Sequence, residues 1–324
     1  MLNTAIVGLG WWGQSLVQAA RDFGAPLQFT RGVTLEPDTV KDFAAEHNIK
    51  LCSFDEVLAD PAIRAVVLAT PHSQHPAQVI AAAGAAKHIY CEKPFALSKA
   101  DAQAMLEASE RAGVTIAVGH HFRLMPSMRA LAELKASGVF GTIMHVEGNY
   151  SHDWLADMPA DSWRIAAEET RAGSMTSMGI HVLDCFRDLN GPMKRISALS
   201  KARVLNFPAG DTTAALIEFD NGATGVLGTT IKTPFRWRIA VFGEHCWAES
   251  AGETRVILRR AGQDDPQVID YLHDNHLGRN LNHFAKAAMG QGTFPISPAG
   301  ILQTVAALEA VFKSVDADGE WMEV

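Results

Sequence analysis

Cysteine is scarce in this 324-residue sequence: Cys52, Cys91, Cys185 and Cys246 lie far apart and make no Cys-x-x-Cys pair. That excludes a disulfide framework and a zinc ribbon, and it reads as buried thiols in a reducing compartment, the cytoplasm. No run approaches twenty apolar residues, which excludes a membrane-spanning helix. Basic residues are outnumbered, 28 to 36, for a net charge of −8, and no local Lys/Arg run offsets this. The electrostatic footprint of a nucleic-acid binder is therefore missing. Met1-Leu2-Asn3-Thr4 lacks the basic flank and small-residue cleavage site of a signal peptide, so none is expected. There is no internal repeat and no low-complexity linker. What remains is an ordinary globular composition, 48% hydrophobic and 20% charged, in a chain too long for one comfortable core. Two domains are expected.

The first 120 residues alternate short apolar runs with segments of helical period, the pattern of parallel strands joined by crossover helices. Strands are predicted over 5–7, 27–33, 65–69, 88–91 and 114–118. Helices are predicted over 14–23, 38–46 after Pro37, 76–86 and 100–112. This is a doubly wound α/β domain over 1–122. The pattern then changes. A helix over 127–136 precedes strand-like runs at 142–150, 196–204, 214–219, 223–231, 237–242 and 256–259, and Asp220-Asn221-Gly222 is a hairpin signal. Helices follow over 282–289 and 298–313. Residues 123–324 thus predict a second, α+β domain with a mostly antiparallel open sheet and helices on one face.

Gly8-Leu9-Gly10-Trp11-Trp12-Gly13 fits G-x-G-x-x-G, directly after the first strand and opening a helix. Gly8 permits the tight turn, Gly10 lets a pyrophosphate approach the backbone, and Gly13 lets helix pack on strand. The helix N-terminus favours the anionic phosphates. Trp11 and Trp12 suit either packing between loop and helix or contact with the cofactor. The second strand of such a unit normally ends in an acid that binds the ribose 2′-hydroxyl of NAD. The positions available are Thr34 and Glu36, with Arg31 upstream, so NAD and NADP both stay open.

Further motifs follow in order: Thr70-Pro71 with His75, Cys91-Glu92-Lys93-Pro94, His121-Phe122-Arg123 with Pro126, Trp163-Arg164, and Gly179-Ile180-His181 with Asp184. With the glycine loop, they make the whole chain resemble the glucose–fructose oxidoreductase and inositol dehydrogenase family, Gfo/Idh/MocA. The resemblance implies a Rossmann domain and an open-sheet substrate domain that also carries assembly into a homodimer or homotetramer. It implies oxidation or reduction of sugars, cyclitols, related polyols or cyclic dihydrodiols. Lys93 becomes the acid/base residue, followed by a peptide bond that is commonly cis. Glu92 and Lys93 lie near the nicotinamide ribose, and Thr70, Pro71 and His75 belong to the cofactor site. His121, Arg123, His152, Trp154, Trp163 and Arg164 line the substrate cleft, where aromatic faces and rigid polar groups suit a polyol.

Chemistry favours such a lysine independently. Removing hydride from a secondary alcohol requires its hydroxyl proton to leave, and a desolvated lysine can take it. In the family a helix carries an aspartate four residues before a histidine, on one face. His181 matches the histidine. Ser177 stands where the aspartate would be, which removes a carboxylate from any two-residue proton relay but keeps a hydrogen-bonding group. His72 and His75 have no Cys, Asp or Glu partner in the pattern, so no metal is expected.

The reading is an NAD(P)-dependent oxidoreductase acting on a small polar substrate, with Lys93 and His181 catalytic and Ser177 in contact with substrate. Two rivals are a non-catalytic dinucleotide sensor, which Ser177 favours and Lys93 with His181 disfavours, and a lyase or epimerase with tightly held NAD.

Overall fold

In the computed structural model the described residues are 1–159, 162–205, 207 and 209–324. The first βαβ run is β1 (Leu2–Val7), α1 (Trp11–Phe23), β2 (Leu27–Val33), α2 (Pro37–Glu46), β3 (Lys50–Leu51), α3 (Phe54–Ala59), β4 (Ala65–Leu68), α4 (His75–Gly84), β5 (His88–Cys91), α5 (Lys99–Arg111) and β6 (Ile116–Val118). Its six strands pair in parallel in the order β3-β2-β1-β4-β5-β6. The order reverses between β1 and β4, the switch point at which doubly wound sheets bind their ligands. β4 and most of β1 and β5 are fully buried, which is why they read as unbroken apolar runs. The β3–α3 pair was not expected. Ser53 and Glu56 form a reciprocal capping box at the start of α3.

The chain continues through α6 (Pro126–Ala136), β7 (Ile143–Ser151), α7 (Gly179–Asn190), β8 (Met193–Lys201), β9 (Thr212–Phe219), β10 (Thr224–Thr230), β11 (Arg236–Gly243), β12 (Cys246–Ala251), β13 (Arg255–Arg260), β14 (Gln267–Asp270), α8 (His276–Ala288), α9 (Pro298–Asp316) and β15 (Met322–Glu323). Nine strands form one sheet in the order β14-β13-β12-β11-β7-β10-β9-β8-β15. Among the described residues of this sheet, only the β7–β10 pair is parallel. The 220–222 hairpin joins β9 to β10, with Gly222 at φ +86°. Gly148 of β7 lets α7 settle on the sheet, since a Cβ there would lie 2.3 Å from Val182 Cγ1. β12, β14 and β15 were not anticipated.

Two compact units result: residues 1–121 with 275–302, and residues 122–274 with 303–324. The sequence places all of 123–324 in the second domain; by its contacts, 275–302 groups with the first unit. Segment 275–302 returns to the first unit because α8 buries Leu281, Phe284 and Ala285 in the same core as Leu16, Val17, Ala20 and Tyr90. Gly278 fits closely enough that a Cβ would lie 2.4 Å from the Ala19 carbonyl oxygen. Among the described residues no helix is long and apolar enough to cross a membrane.

Candidate active site

In the first unit the site begins at the glycine turn. Gly8 sits at φ +92°, and a Cβ on it would lie 2.5 Å from the Ala69 carbonyl oxygen. A Cβ on Gly13 would lie 2.0 Å from the Gly8 carbonyl oxygen. Gly10 differs: a Cβ there meets nothing within 4 Å. α1 starts just after it with no side-chain cap and no acid in its first turn. The turn is thus packed tightly on its protein side and open where a phosphate would approach, with α1's N–H groups and dipole left for an anion. These residues fit a dinucleotide. Gly10→Val is therefore expected to leave thermal unfolding almost unchanged while abolishing NAD and NADP binding in calorimetry. Gly13→Val should destabilise the fold by about 1–3 kcal/mol or more through overpacking. Equal cofactor affinity in wild type and Gly10→Val would defeat the assignment.

At the end of β2, Thr34 Oγ1 accepts the Glu36 N–H at 3.1 Å, and Glu36 is exposed at the start of α2. Arg31, considered as an attractor for a 2′-phosphate, is ion-paired to Asp60 at 3.0 Å. Thr70 Oγ1 bonds Gln78 at 2.6 Å. His75 is fully buried, its Nδ1 2.9 Å from the Pro94 carbonyl and its Nε2 3.1 Å from the Thr70 carbonyl. It ties the Thr70-Pro71 turn to the residue after Lys93. The Lys93–Pro94 peptide is cis.

Glu92 is 4% exposed. Burial raises its carboxyl to about 7, against the pull of Lys93's charge, the Lys93 backbone N–H, Trp12 and Tyr90. Trp12 also lies against His121, ring centroids 5.9 Å apart, while Trp11 is half exposed and meets Trp12 edge-on. His121 Nδ1 is 2.9 Å from His276 Nδ1, in nearly parallel rings. Burial, with the neighbouring His276, Lys93 and His120, holds His121 well below the ordinary histidine range, so it is neutral near pH 7.

In the second unit, His181 is 3% exposed and stacks on Phe122, centroids 4.1 Å apart and planes 18° apart. Tyr150 meets it edge-on, and Trp237 packs on both Phe122 and Tyr150. Burial pushes the Tyr150 hydroxyl well above its usual range. Tyr150 and Trp237 were not singled out in the sequence, although both alternate inward on strands that were predicted.

Ser177 corrects an expectation. α7 begins at Gly179, and 173–178 is a 3₁₀ turn followed by a further turn, so Ser177 and His181 do not share a continuous helical face. Ser177 Oγ is 3.5 Å from the Ser174 carbonyl. Arg123, expected to line the substrate cleft, has its guanidinium engaged by two protein carboxylates. Its guanidinium is 6% exposed, forks onto Asp184 at 2.6 and 2.7 Å, and reaches Asp188 at 2.9 Å. Arg164 lies over the Trp163 ring, 4.3 Å from the centroid. The His152 ring is 5.7 Å from that of Phe235 and accepts the Trp154 N–H. Among the described residues no three His, Cys, Asp or Glu side chains gather as metal ligands.

Residues 2–120 match the oxidoreductase family model with an NAD-binding Rossmann fold, and residues 128–249 match the GFO/IDH/MocA C-terminal domain. The chain is 27% identical to levoglucosan dehydrogenase of Pseudarthrobacter phenanthrenivorans, over 93% of this chain and 85% of that one. It is 28% identical to 2,7-anhydro-N-acetylneuraminate hydratase of Escherichia coli, over 81% and 71% of the two chains. The fold matches a solved levoglucosan dehydrogenase complex with NADH and levoglucosan at a TM-score of 0.90 and 22% identity, covering 100% of this chain and 99% of that one. With residues 2–120 and 128–249 both matched, and with an anion-ready glycine turn in the same unit as the Glu92-Lys93-Pro94 segment, the chain belongs to the Gfo/Idh/MocA family of NAD(P)-dependent oxidoreductases.

Proposed function

We propose that the substrate is a sugar, cyclitol or related polyol, oxidised or reduced at a secondary carbon, with Lys93 as the residue that exchanges the hydroxyl proton. The observation that carries this is the Glu92-Lys93-Pro94 segment itself, with Lys93 half-buried between buried Glu92 and Pro94 just past β5, in the same unit as the open glycine turn. Bound dinucleotide supplies the hydride acceptor or donor at nicotinamide C4. The protein's part is orientation and proton transfer. His181 donates a hydrogen bond to the reacting oxygen, and its ring is held flat on Phe122. Ser177, Trp163 and Arg164 contact the remaining hydroxyls. Arg123 positions α7 through Asp184 and does not touch substrate.

A cofactor-coupled panel tests this reading. Sugars and cyclitols, including anhydro sugars in view of the levoglucosan dehydrogenase relative, are assayed by reduced-cofactor absorbance with NAD and NADP in parallel. At least one polyol should turn over. NADP should bind about as well as NAD, because Thr34 brings no carboxylate to the 2′ position. A Kd for NADP about a hundredfold weaker than for NAD would place a carboxylate there after all. The hydratase relative favours a second reading, net lyase or hydratase chemistry with cofactor retained and regenerated. Dinucleotide that copurifies, with substrate consumed and no net absorbance change, would select it.

Assembly into a homodimer or homotetramer fits the exposed Leu199, Leu216 and Val226 on the sheet of the second unit. Four free cysteines, three of them buried, fit the cytoplasm.

A further inference from the structure

Around Glu92 the first unit buries a chain of polar groups that the chemistry above leaves unused. Asn280 of α8 is 1% exposed, and its Nδ2 donates to the Val118 carbonyl at 3.2 Å and to the Tyr90 hydroxyl at 3.1 Å. The fully buried Tyr90 hydroxyl is in turn 3.4 Å from Glu92 Oε1. Trp12 bonds the same carboxyl, and the Lys93 N–H reaches Oε2 at 3.2 Å.

The direction of each bond follows from the donor inventory. The Val118 carbonyl can only accept, so the amide group of Asn280 must face it with nitrogen. That nitrogen has two hydrogens, and the second goes to Tyr90. Tyr90 therefore accepts from Asn280 and sends its own proton on to Glu92. The Trp12 indole and the Lys93 backbone N–H can only donate. Three donors thus converge on Glu92, an arrangement that suits an ionised carboxylate and leaves a neutral acid with a poorly placed proton. Gly119 makes room for it, since a Cβ there would lie 2.5 Å from Glu92 Oε1. Burial works against ionisation, and the two influences leave Glu92 balanced at about 7, where the loss of one donor matters.

We propose that Asn280 is a positioning residue: by fixing the direction of the Tyr90 hydroxyl it keeps Glu92 a carboxylate, and Glu92 sets the charge on the neighbouring Lys93 amine. The control comes from a helix 190 residues beyond Tyr90 in the chain. The groups around this pair are Tyr90 and Cys91 on β5, Trp12 on α1, His120 and His121 after β6, and Asn280 and His276 on α8. His121 is neutral and adds no like charge beside Lys93. The proposal rests on reading Lys93 as the acid/base residue and adds to it a source for its protonation state.

The test is the pH dependence of trace acetylation of Lys93 in the full-length protein without cofactor, read by mass spectrometry on the Lys93 peptide. A neighbouring carboxylate favours the ammonium form, so losing it should lower the midpoint. Glu92→Gln should move the midpoint down by about one pH unit or more, or about tenfold faster labelling at a fixed pH below it. Asn280→Leu and Tyr90→Phe should move it the same way by less, and Asn280→Leu should add nothing to Glu92→Gln. Tyr90→Phe keeps the ring volume and reads the same chain should Asn280→Leu fold poorly. A purely structural role for Asn280 would lower stability without moving the midpoint. A wild-type midpoint in Tyr90→Phe and in any folded Asn280→Leu, or a full additional shift in the double variant, would overturn the proposal. Turnover retained by Lys93→Met would instead overturn the acid/base reading and leave the labelling result standing.

Discussion

Replacing Lys93 with methionine is expected to lower kcat by about 10²–10⁴-fold, the usual cost of losing general acid/base catalysis. Methionine keeps an unbranched stem of nearly the same length, with sulfur in place of the δ-methylene, and lacks the amine, so dinucleotide affinity and thermal unfolding should stay near wild type. The expectation follows from position. Lys93 leaves the end of β5 between buried Glu92 and Pro94, and the Pro94 carbonyl is braced by His75. His181→Ala should cost less, because an orienting hydrogen bond is lost while the proton acceptor remains. Ser177→Ala should cost least, since its hydroxyl lies in a turn ahead of α7. Ser177→Asp introduces the carboxylate that the family usually has there and should raise turnover or change substrate preference. Steady-state kinetics on all four variants, with thermal unfolding as the control, decide the roles. Near-normal kcat in Lys93→Met together with abolition in His181→Ala would reverse them.

Much of the first unit could be read directly because its central strands β1, β4 and β5 are almost wholly buried on both faces. Such strands show up as short apolar runs, and the glycine loop sits where the first of them ends. The β3–α3 pair escaped because β3 has two residues and α3 only six. Its one local signal was the Ser53-x-x-Glu56 capping box. β12 mixes Trp247 and Glu249 into an otherwise small-residue run, which hid its alternation. The return of α8 to the first unit could not be read locally. Asn275, which caps α8, bonds the Ala19 carbonyl 256 residues away, and no spacing rule encodes such a contact. The site divided the same way. Lys93, Glu92 and His181 stand in motifs, whereas Asn280 reaches Tyr90 beside Glu92 in the first unit, and Tyr150 and Trp237 reach the His181–Phe122 stack in the second, through tertiary packing. Where a guanidinium points is also not in a motif: Arg123 was grouped with substrate contacts and is engaged by two carboxylates. The spacing of Asp184 and Asp188, four apart on one helix, was the available hint.

That ion pair carries the second large expected effect. Arg123→Met should destabilise the protein by about 3–5 kcal/mol, because it leaves the Asp184 carboxylate, 1% exposed, without its main counter-charge. Burial alone would loosen the Arg123 proton, and the Asp184 and Asp188 carboxylates outweigh it, so the guanidinium is held charged even more firmly than usual. The pair also links two parts of the site. Arg123 follows Phe122, whose ring supports His181, and Asp184 lies one turn beyond His181 on α7. Breaking it should therefore lower kcat as well as stability. The double variant Arg123→Met, Asp184→Leu should recover most of the lost stability, since replacing both partners of a buried pair by apolar groups is often neutral. It should not recover kcat to the same degree, because the link between Phe122 and α7 is then only apolar. Denaturant unfolding of the two single variants and the double variant measures the coupling, and the same proteins are assayed for turnover. Equal stability of Arg123→Met and wild type would show that Asp184 has adequate compensation elsewhere. Wild-type turnover in a folded Arg123→Met would show that His181 is held in place without the pair.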